Sequence, residues 1–429
     1  MTDYEIREGA RKTIFRNMIK GRKKDGRYFH YTKPSPERYP YQFFWDTCFH
    51  VFILAALDEY EMAKAHIKSL IALQESDGFV GHMIYWNRLI PGRWSDIFQS
   101  RPRLTNLYST HMTALIQPPL AARAVERIYE LGRDLNFLNA FLPKLKKYYD
   151  WIAKNRDLDG DGLVTIISPF ESGMDWKPSY DVALGLNERK ADWRLFLKVI
   201  AVDFRNYLND YNNAMIQEKG YFLVKDVGLN TIYADNLKAL SGLCKAAHDA
   251  EGEKYEALSV KVTKRMLEVM YDREDCAFYD TYGSSNQKIK VLTPTAFFPS
   301  VLNEIPDSIT RSVIETHLIN GSKFRVRYPL PSLAVNHGAF EPRESKYLWR
   351  GPTWVANNWF LHQYLMEKGY DEQCLMLIDS IRELVVKSGF REYYNPFTGA
   401  GYGATDFTWS CLLVDMMRAR RKYEQEGGF

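Results

Sequence analysis

Apolar positions recur every three to four residues along most of the chain, and strict two-residue alternation is scarce. This pattern predicts helices near residues 4–19, 46–57, 59–75, 107–131, 136–155, 191–217, 230–250, 252–272, 306–319, 353–367, 370–388 and 405–423. Ile6, Ala10, Ile14, Met18 and Ile19 share one face of the first, and Ala63, Ile67, Leu70 and Ile71 share one face of the third. Such stripes face a core. Short turns join 46–57 to 59–75, 230–250 to 252–272 and 353–367 to 370–388, whereas long connections fill 76–106, 156–190, 273–305 and 320–352. Helix hairpins alternating with long loops suggest a toroid of helix pairs with its loops on one face, where binding residues collect. No Ser/Gly-rich linker splits the chain, so one domain over residues 1–429 is expected, with 76–106 as a candidate lid loop. A solenoid would need a fixed repeat period, and none is visible.

Composition narrows the function. The net charge of +4 is too balanced to argue for nucleic acid. No apolar run is long enough to span a bilayer, and the start, Met1-Thr2-Asp3-Tyr4-Glu5, lacks the apolar stretch of a secretory signal. Cys48, Cys244, Cys276, Cys374 and Cys411 are scattered, which suits a reducing, cytoplasmic setting. The 24 Phe, 28 Tyr and 10 Trp exceed what core packing calls for, since buried Tyr and Trp need hydrogen-bond partners; a cleft lined with amphipathic rings is expected.

Nucleotide-binding glycine motifs, HExxH and GxSxG are absent, and no cofactor is expected. Asp157, Asp159, Asp161 and Gly162 open like a calcium loop, but position twelve is Ser168 instead of a bidentate Glu. A tight polar turn is the expected reading; no functional metal is expected, and a structural cation stays open.

Five loops combine acids, Trp, Tyr and Gly. Tyr39-Pro40-Tyr41-Gln42-Phe43-Phe44-Trp45-Asp46 leads into a helix, where Asp46 is either a cap or a carboxylate clamping sugar hydroxyls beside a stacking ring. Gln74 to His82 opens the 76–106 stretch, which carries Trp86, Arg88, Arg93, Trp94, Arg101 and Arg103; arginines suit an anionic ligand, the alternative being a solvated charged loop. Glu171-Ser172-Gly173-Met174-Asp175-Trp176-Lys177 sets a carboxyl beside a Trp, where desolvation favours a proton-donating acid, although Lys177 would oppose that shift. Trp349-Arg350-Gly351-Pro352-Thr353-Trp354 precedes a helix. Glu392-Tyr393-Tyr394-Asn395-Pro396 follows one, with Trp409 further on.

These segments, in this order and together with Gln117-Pro118-Pro119, resemble glycoside hydrolase family 63 from about residue 37 to residue 424. The family includes processing α-glucosidase I and, in shorter single-domain form, mannosylglycerate and glucosylglycerate hydrolases, whose length this chain is similar to. The resemblance implies an all-α (α/α)6 barrel whose long loops form the active-site face, and an inverting mechanism with Asp175 as general acid and Glu392 as general base. It implies that Tyr41, Trp45, Asp46, Gln117, Trp349, Arg350 and Trp354 shape a sugar subsite, with Gln74 and His82 at its rim and Trp409 in its wall. Trp176 and Tyr394 join them as loop aromatics beside the two acids. The expected reaction is hydrolysis of an α-linked glycosyl-glycerate to hexose and glycerate, with Arg101 and Arg103 as candidates for the glycerate carboxylate. The alternative is an α-glucosidase or trehalase-like hydrolase of a neutral disaccharide. The expected partner is a small carbohydrate, with neither nucleic acid nor membrane; a homo-oligomer stays open.

Overall fold

The structure, a computed structural model, describes residues 1–23, 25–86, 94–100, 111–186 and 191–425. Helices dominate. The principal ones are α1 (Asp3–Arg16), α2 (Phe44–Ala56), α3 (Tyr60–Ile71), α4 (Ala121–Gly132), α5 (Leu135–Arg156), α6 (Trp193–Leu208), α7 (Val227–Ala246), α8 (Gly252–Val269), α9 (Asp307–Ile314), α10 (Val355–Glu367), α11 (Asp371–Ser388) and α12 (Leu413–Gln425). Local chemistry sets several boundaries. Thr2 and Glu5 form a reciprocal capping box on α1, and Asp134, Asp192 and Asp226 cap α5, α6 and α7 through their side chains.

The helices pack as two rings. The inner ring runs α2, α4, α7, the 3-10 segment Pro294–Val301, α10 and then α12 with its leading 3-10 turn Thr408–Leu412, which returns to α2. Helices α3, α8 and α11 pair with inner partners α2, α7 and α10, while α5 lies against α4 and α7, α9 against the 3-10 segment, and α1 against the 408–412 turn. Sequence polarity explains the assignment. All thirteen residues of α2 are buried, as are sixteen of the twenty in α7, and helices that are apolar around most of their circumference belong inside. The outer helices carry a single stripe. On α6, Trp193, Leu197, Phe204 and Leu208 remain exposed on the outward face. Among the described residues no helix is long and apolar enough to cross a membrane.

Several predicted boundaries are corrected. Within the helix expected over 107–131, residues 111–120 are not helical and α4 begins at Ala121, because Pro118 and Pro119 do not fit inside a helix. The stretch 191–217 splits into α6 and a short helix, Asn213–Lys219, at Asp210 and Tyr211, both of which have positive φ. Residues 294–301, read as loop, supply an inner-ring element, since Pro294 and Pro299 limit it to 3-10 geometry. A hairpin, β1 (Met18–Arg22) with β2 (Tyr28–Thr32), lies where the first predicted helix ends. A second hairpin, β3 (Arg391–Tyr394) with β4 (Gly401–Thr405), precedes the last inner element.

The Asp157–Gly162 loop is filled from within. Lys225 Nζ lies 2.7 Å from Asp159, 2.9 Å from Asp161 and 2.8 Å from Asn286 Oδ1, so an ammonium occupies the position a cation would take.

Candidate active site

The N-terminal ends of four of the inner elements converge on one cavity. Trp45 and Asp46 come from the first turn of α2, Gln117 from just before α4, Trp354 from the residue preceding α10, and Trp409 from the turn leading into α12. Inner-helix N-termini are also the positive ends of helix dipoles, a favourable place for acids. Tyr41, His82, Asp175, Trp349 and Glu392 line the same cavity, as do Arg38, Tyr39, Phe43, Asp96, Gln99, Phe170 and Phe407.

Short backbone pairings align the first wall. Gln42 and Phe43 pair with Ile84 and Met83, Phe44 N donates to His82 O, and His82 N donates to Leu115 O. Gln117 Oε1 accepts from Trp45 N at 3.1 Å. Trp45 meets Trp409 edge-on at 5.0 Å between centroids, and Trp409 Nε1 donates to Asp46 Oδ1 at 2.7 Å. Trp349 stacks on Trp354 at 3.8 Å and 15°, and Trp354 on Tyr393 at 5.0 Å. Trp349 adopts φ 66°, a conformation a bulky side chain takes only when its surroundings impose it. Thr353 and Tyr394 exchange backbone hydrogen bonds, which ties this aromatic wall to β3.

Glu392 sits where the β3–β4 register shifts, a bulge that turns its side chain out of the normal alternation. Its carboxylate is fully buried. Oε1 accepts from Tyr39 Oη at 2.6 Å; Oε2 accepts from Arg38 Nη1 at 2.9 Å and from Ala404 N at 2.8 Å. A carboxylate offers about four lone-pair sites. Oε2 is therefore saturated, and Oε1 has one site left. Gly403, at φ 65°, lies against Glu392 where any Cβ would overlap the carboxylate.

Asp175 follows the 3-10 turn Pro169–Ser172. The turn is anchored by Glu171, not by Asp175: Glu171 Oε1 accepts from Ile116 N at 3.0 Å and from Arg156 Nη2 at 2.5 Å, and Oε2 from Ile167 N at 2.9 Å. Gly173, at φ 72°, lies against the Trp45 ring, with no room for a Cβ. Lys177, two residues on from Asp175, is engaged by other acids. Its ammonium is buried between Asp226, to which it hydrogen-bonds, and Asp280 at 2.7 Å.

Burial dominates the electrostatics. It raises Asp46 to about 7, against the pull of the Trp409 hydrogen bond, and neighbouring Asp175 adds to the rise. Burial pushes His82 down to about 3, so its ring is neutral, with Nδ1 2.6 Å from Thr113 Oγ1. Burial first, then the Glu392 charge, raises the Tyr39 hydroxyl, which stays protonated and able to donate.

Four expected site residues sit elsewhere. Gln74 braces a turn, donating at 2.9 Å to Gly78 O and Lys144 O. Arg350 is buried in an ion pair with Asp181. Tyr394 is interior, with its hydroxyl on Gly389 O at 2.7 Å. Trp176 packs against Phe170, Phe196 and Tyr347 rather than facing the cavity. In each case the side chain meets a local polar or aromatic partner that the spacing of residues does not reveal. Arg101 and Arg103 lie outside the described residues. Arg38, Tyr39 and Gln99 were not assigned from sequence; only Tyr39 carried a signal, as part of the aromatic run before Asp46. No group of His, Cys, Asp and Glu among the described residues is arranged to hold a metal.

Residues 39–410 match the model of the mannosylglycerate hydrolase MGH1-like glycoside hydrolase domain. The chain is 28% identical to the mannosylglycerate hydrolase of Thermus thermophilus, over 90% of this chain and 95% of that protein. It is 25% identical to the glucosylglycerate hydrolase of Mycolicibacterium hassiacum, over 89% and 93%. A crystal structure of the GH63 mannosylglycerate hydrolase from Thermus thermophilus in complex with Tris superposes with a TM-score of 0.83, at 26% identity, covering 96% of this chain and 99% of that one. The two-ring architecture is thus the (α/α)6 barrel of a glycosidase, and the chain belongs to the MGH1-like glycoside hydrolases of family 63.

Proposed function

We propose that this glycosidase hydrolyses an α-linked glycosyl-glycerate to hexose and glycerate with inversion at the anomeric carbon. Asp175 donates its proton to the glycosidic oxygen as the carbon–oxygen bond breaks. Glu392 accepts a proton from the water that attacks the opposite face. The observation that carries this reading is the saturation of Glu392: with Tyr39, Arg38 and the Ala404 amide bound, the remaining Oε1 site takes the water. Inversion needs about 6.5–9.5 Å between the two carboxyls to admit that water. Trp45, Trp349 and Trp409 supply aromatic surface for the sugar ring, Trp354 backs Trp349 by stacking, and Asp46, with Oδ1 held by Trp409, offers Oδ2 to a sugar hydroxyl.

The mannosylglycerate and glucosylglycerate hydrolases named above support glycerate as the leaving group. Among the described lining residues Arg38 is the cation, and it is engaged by Glu392. The charge for an anionic aglycone is assigned to Arg101 and Arg103 on the arginine-rich composition of their loop. The free thiols of Cys48, Cys244, Cys276, Cys374 and Cys411 suit a cytoplasmic setting.

The test is turnover of mannosylglycerate, glucosylglycerate, trehalose and kojibiose, followed by NMR of the first anomer released. Glycerate release with the β-anomer appearing first is expected. Preference for a neutral disaccharide would replace the substrate assignment, and initial α-anomer would refute inversion. Asp175→Asn and Glu392→Gln should each abolish turnover while sparing binding.

A further inference from the structure

Another cavity opens toward the C-terminal ends of the same inner helices. The catalytic cavity takes Trp45 and Asp46 from the start of α2 and Trp354 from just before α10; this one takes Phe52 from later in α2 and Trp359, Phe360, Tyr364 and Glu367 from later in α10. Helix α4 supplies Arg123, Glu126, Arg127 and Glu130, and α7 adds Asp235.

Its charges do not balance. Arg123 grips Asp235 with two hydrogen bonds, Nε to Oδ2 at 2.8 Å and Nη2 to Oδ1, and gives Nη1 to Glu126 at 2.8 Å. Arg127 gives Nη1 to the buried Asp415 at 2.7 Å, and Asp415 also accepts from Trp359 Nε1 at 2.8 Å. Four lining acids thus face two lining arginines, and Asp415 adds a further carboxylate. Lys238 and Lys368 act on Glu367 only through space, and Lys368 is paired with Asp307. Burial raises the Glu126 carboxyl above its ordinary range against the pull of Arg123, and the Glu130 and Asp235 charges add to the rise.

Tyr364 points independently to a ligand. The residue is 5% exposed, its ring packs on Phe298 and Phe360, and its hydroxyl makes no hydrogen bond among the described residues. The charges that act on it are Asp235, Arg123 and Glu367, all of which line the cavity, so the hydroxyl is turned into it. A buried hydroxyl without a partner costs free energy that a bound group would recover. Phe52, Trp359 and Phe360 make part of the lining aromatic. Aromatic faces attract cations, and Arg127 already lies 5.2 Å from the Phe52 centroid. No group of acids among the described residues is arranged to enclose a metal ion, which leaves an organic cation.

We propose that this cavity binds an aliphatic polyamine: its ammonium groups meet the surplus negative charge of Glu126, Asp235 and Glu367 and donate to the Tyr364 hydroxyl oxygen, while its methylenes lie along Phe52, Trp359 and Phe360. Separated ammonium groups suit acids spread over three helices better than one compact cation does. No bond is made or broken. The site does not include Asp175 or Glu392, so it stands whichever roles those two residues take.

The test is calorimetric titration of the full chain with spermidine, with butanediol, glucose and magnesium chloride as comparisons, and thermal melts under the same conditions. Spermidine should bind once per chain and raise Tm by roughly 3 °C at a hundredfold excess over Kd. Tyr364→Phe should weaken binding by about tenfold and Glu367→Gln by about threefold, with turnover of the preferred glycoside unchanged in both. An amine that enters the catalytic cavity instead would bind both variants as it binds the wild type and would block turnover; that result would overturn the proposal. So would the absence of heat at millimolar spermidine, an equal response to butanediol or glucose, or an equal response to magnesium alone. Should Tyr364→Phe fold poorly, Glu367→Gln decides, since that residue lies at the exposed rim, and an unchanged Kd there overturns the proposal.

Discussion

Asp46→Asn tests whether the active-site acids weaken the fold. Burial holds Asp46 at about 7, whereas an unfolded Asp titrates near 3.8. The folded state therefore binds the proton more tightly, so the stability this group confers is complete below the unfolded value and is lost as pH rises toward 7. Each unit of difference corresponds to roughly 1.4 kcal/mol. Between pH 5 and pH 8 the wild type should lose about 3 kcal/mol on this account, while the Asn variant, which does not titrate, loses none of it. Taking the difference across pH cancels any change in the Trp409 hydrogen bond, since both proteins carry it at both values. For a chain of 429 residues the unfolding entropy is about 0.9 kcal/mol per degree, so the variant should gain roughly 3 °C in Tm relative to wild type between pH 5 and pH 8. Thermal melts at the two pH values read this directly, and activity should fall sharply in the same variant. A Tm difference that does not change with pH would falsify the assignment of a buried, ionising Asp46.

Three further predictions concern the frame of the site. Arg38→Gln removes a charged donor from Glu392 and should lower kcat by about 10- to 100-fold, with KM moving far less; steady-state kinetics that show an unchanged kcat would remove Arg38 from the base's support. Lys177→Met strands Asp226 and Asp280 in the interior and should cost about 3–5 kcal/mol in urea unfolding, whereas a loss under 1 kcal/mol, roughly that of a surface pair, would contradict the buried cluster. Chelator or added calcium should leave Tm unchanged, because Lys225 already fills the Asp159–Asp161 loop; a clear calcium-dependent rise would show that the ammonium is displaced.

The order of helices was legible because apolar spacing records which face of each segment meets the core. Even so, the inner 3-10 element at Pro294–Val301 escaped, since two prolines hide a structural segment behind a loop-like composition. The chemistry was legible where function concentrates unusual residue types in short segments: Trp45 with Asp46, Gly173 before Asp175, and Glu392 before its glycine-rich turn all reach one cavity. Arg350, Tyr394, Gln74 and Trp176 have the same residue types and neighbourhoods, but Asp181, Gly389, Gly78 and Phe170 respectively engage them elsewhere.

By itself, then, the sequence determined the helical class, the hairpin pairing and the short motifs that carry the acids, because these depend on periodicity and on residues close together in the chain. Only the tertiary structure decided which way each side chain turns. It sent Lys177 to Asp226 and Asp280, leaving Asp175 without that ammonium. It brought Arg38 and Tyr39 more than three hundred residues along the chain to Glu392, and set Asp203 against Ser168. Charge interactions act through space in a poorly polarisable interior, and contacts between residues so far apart in the chain leave no spacing in the sequence to read.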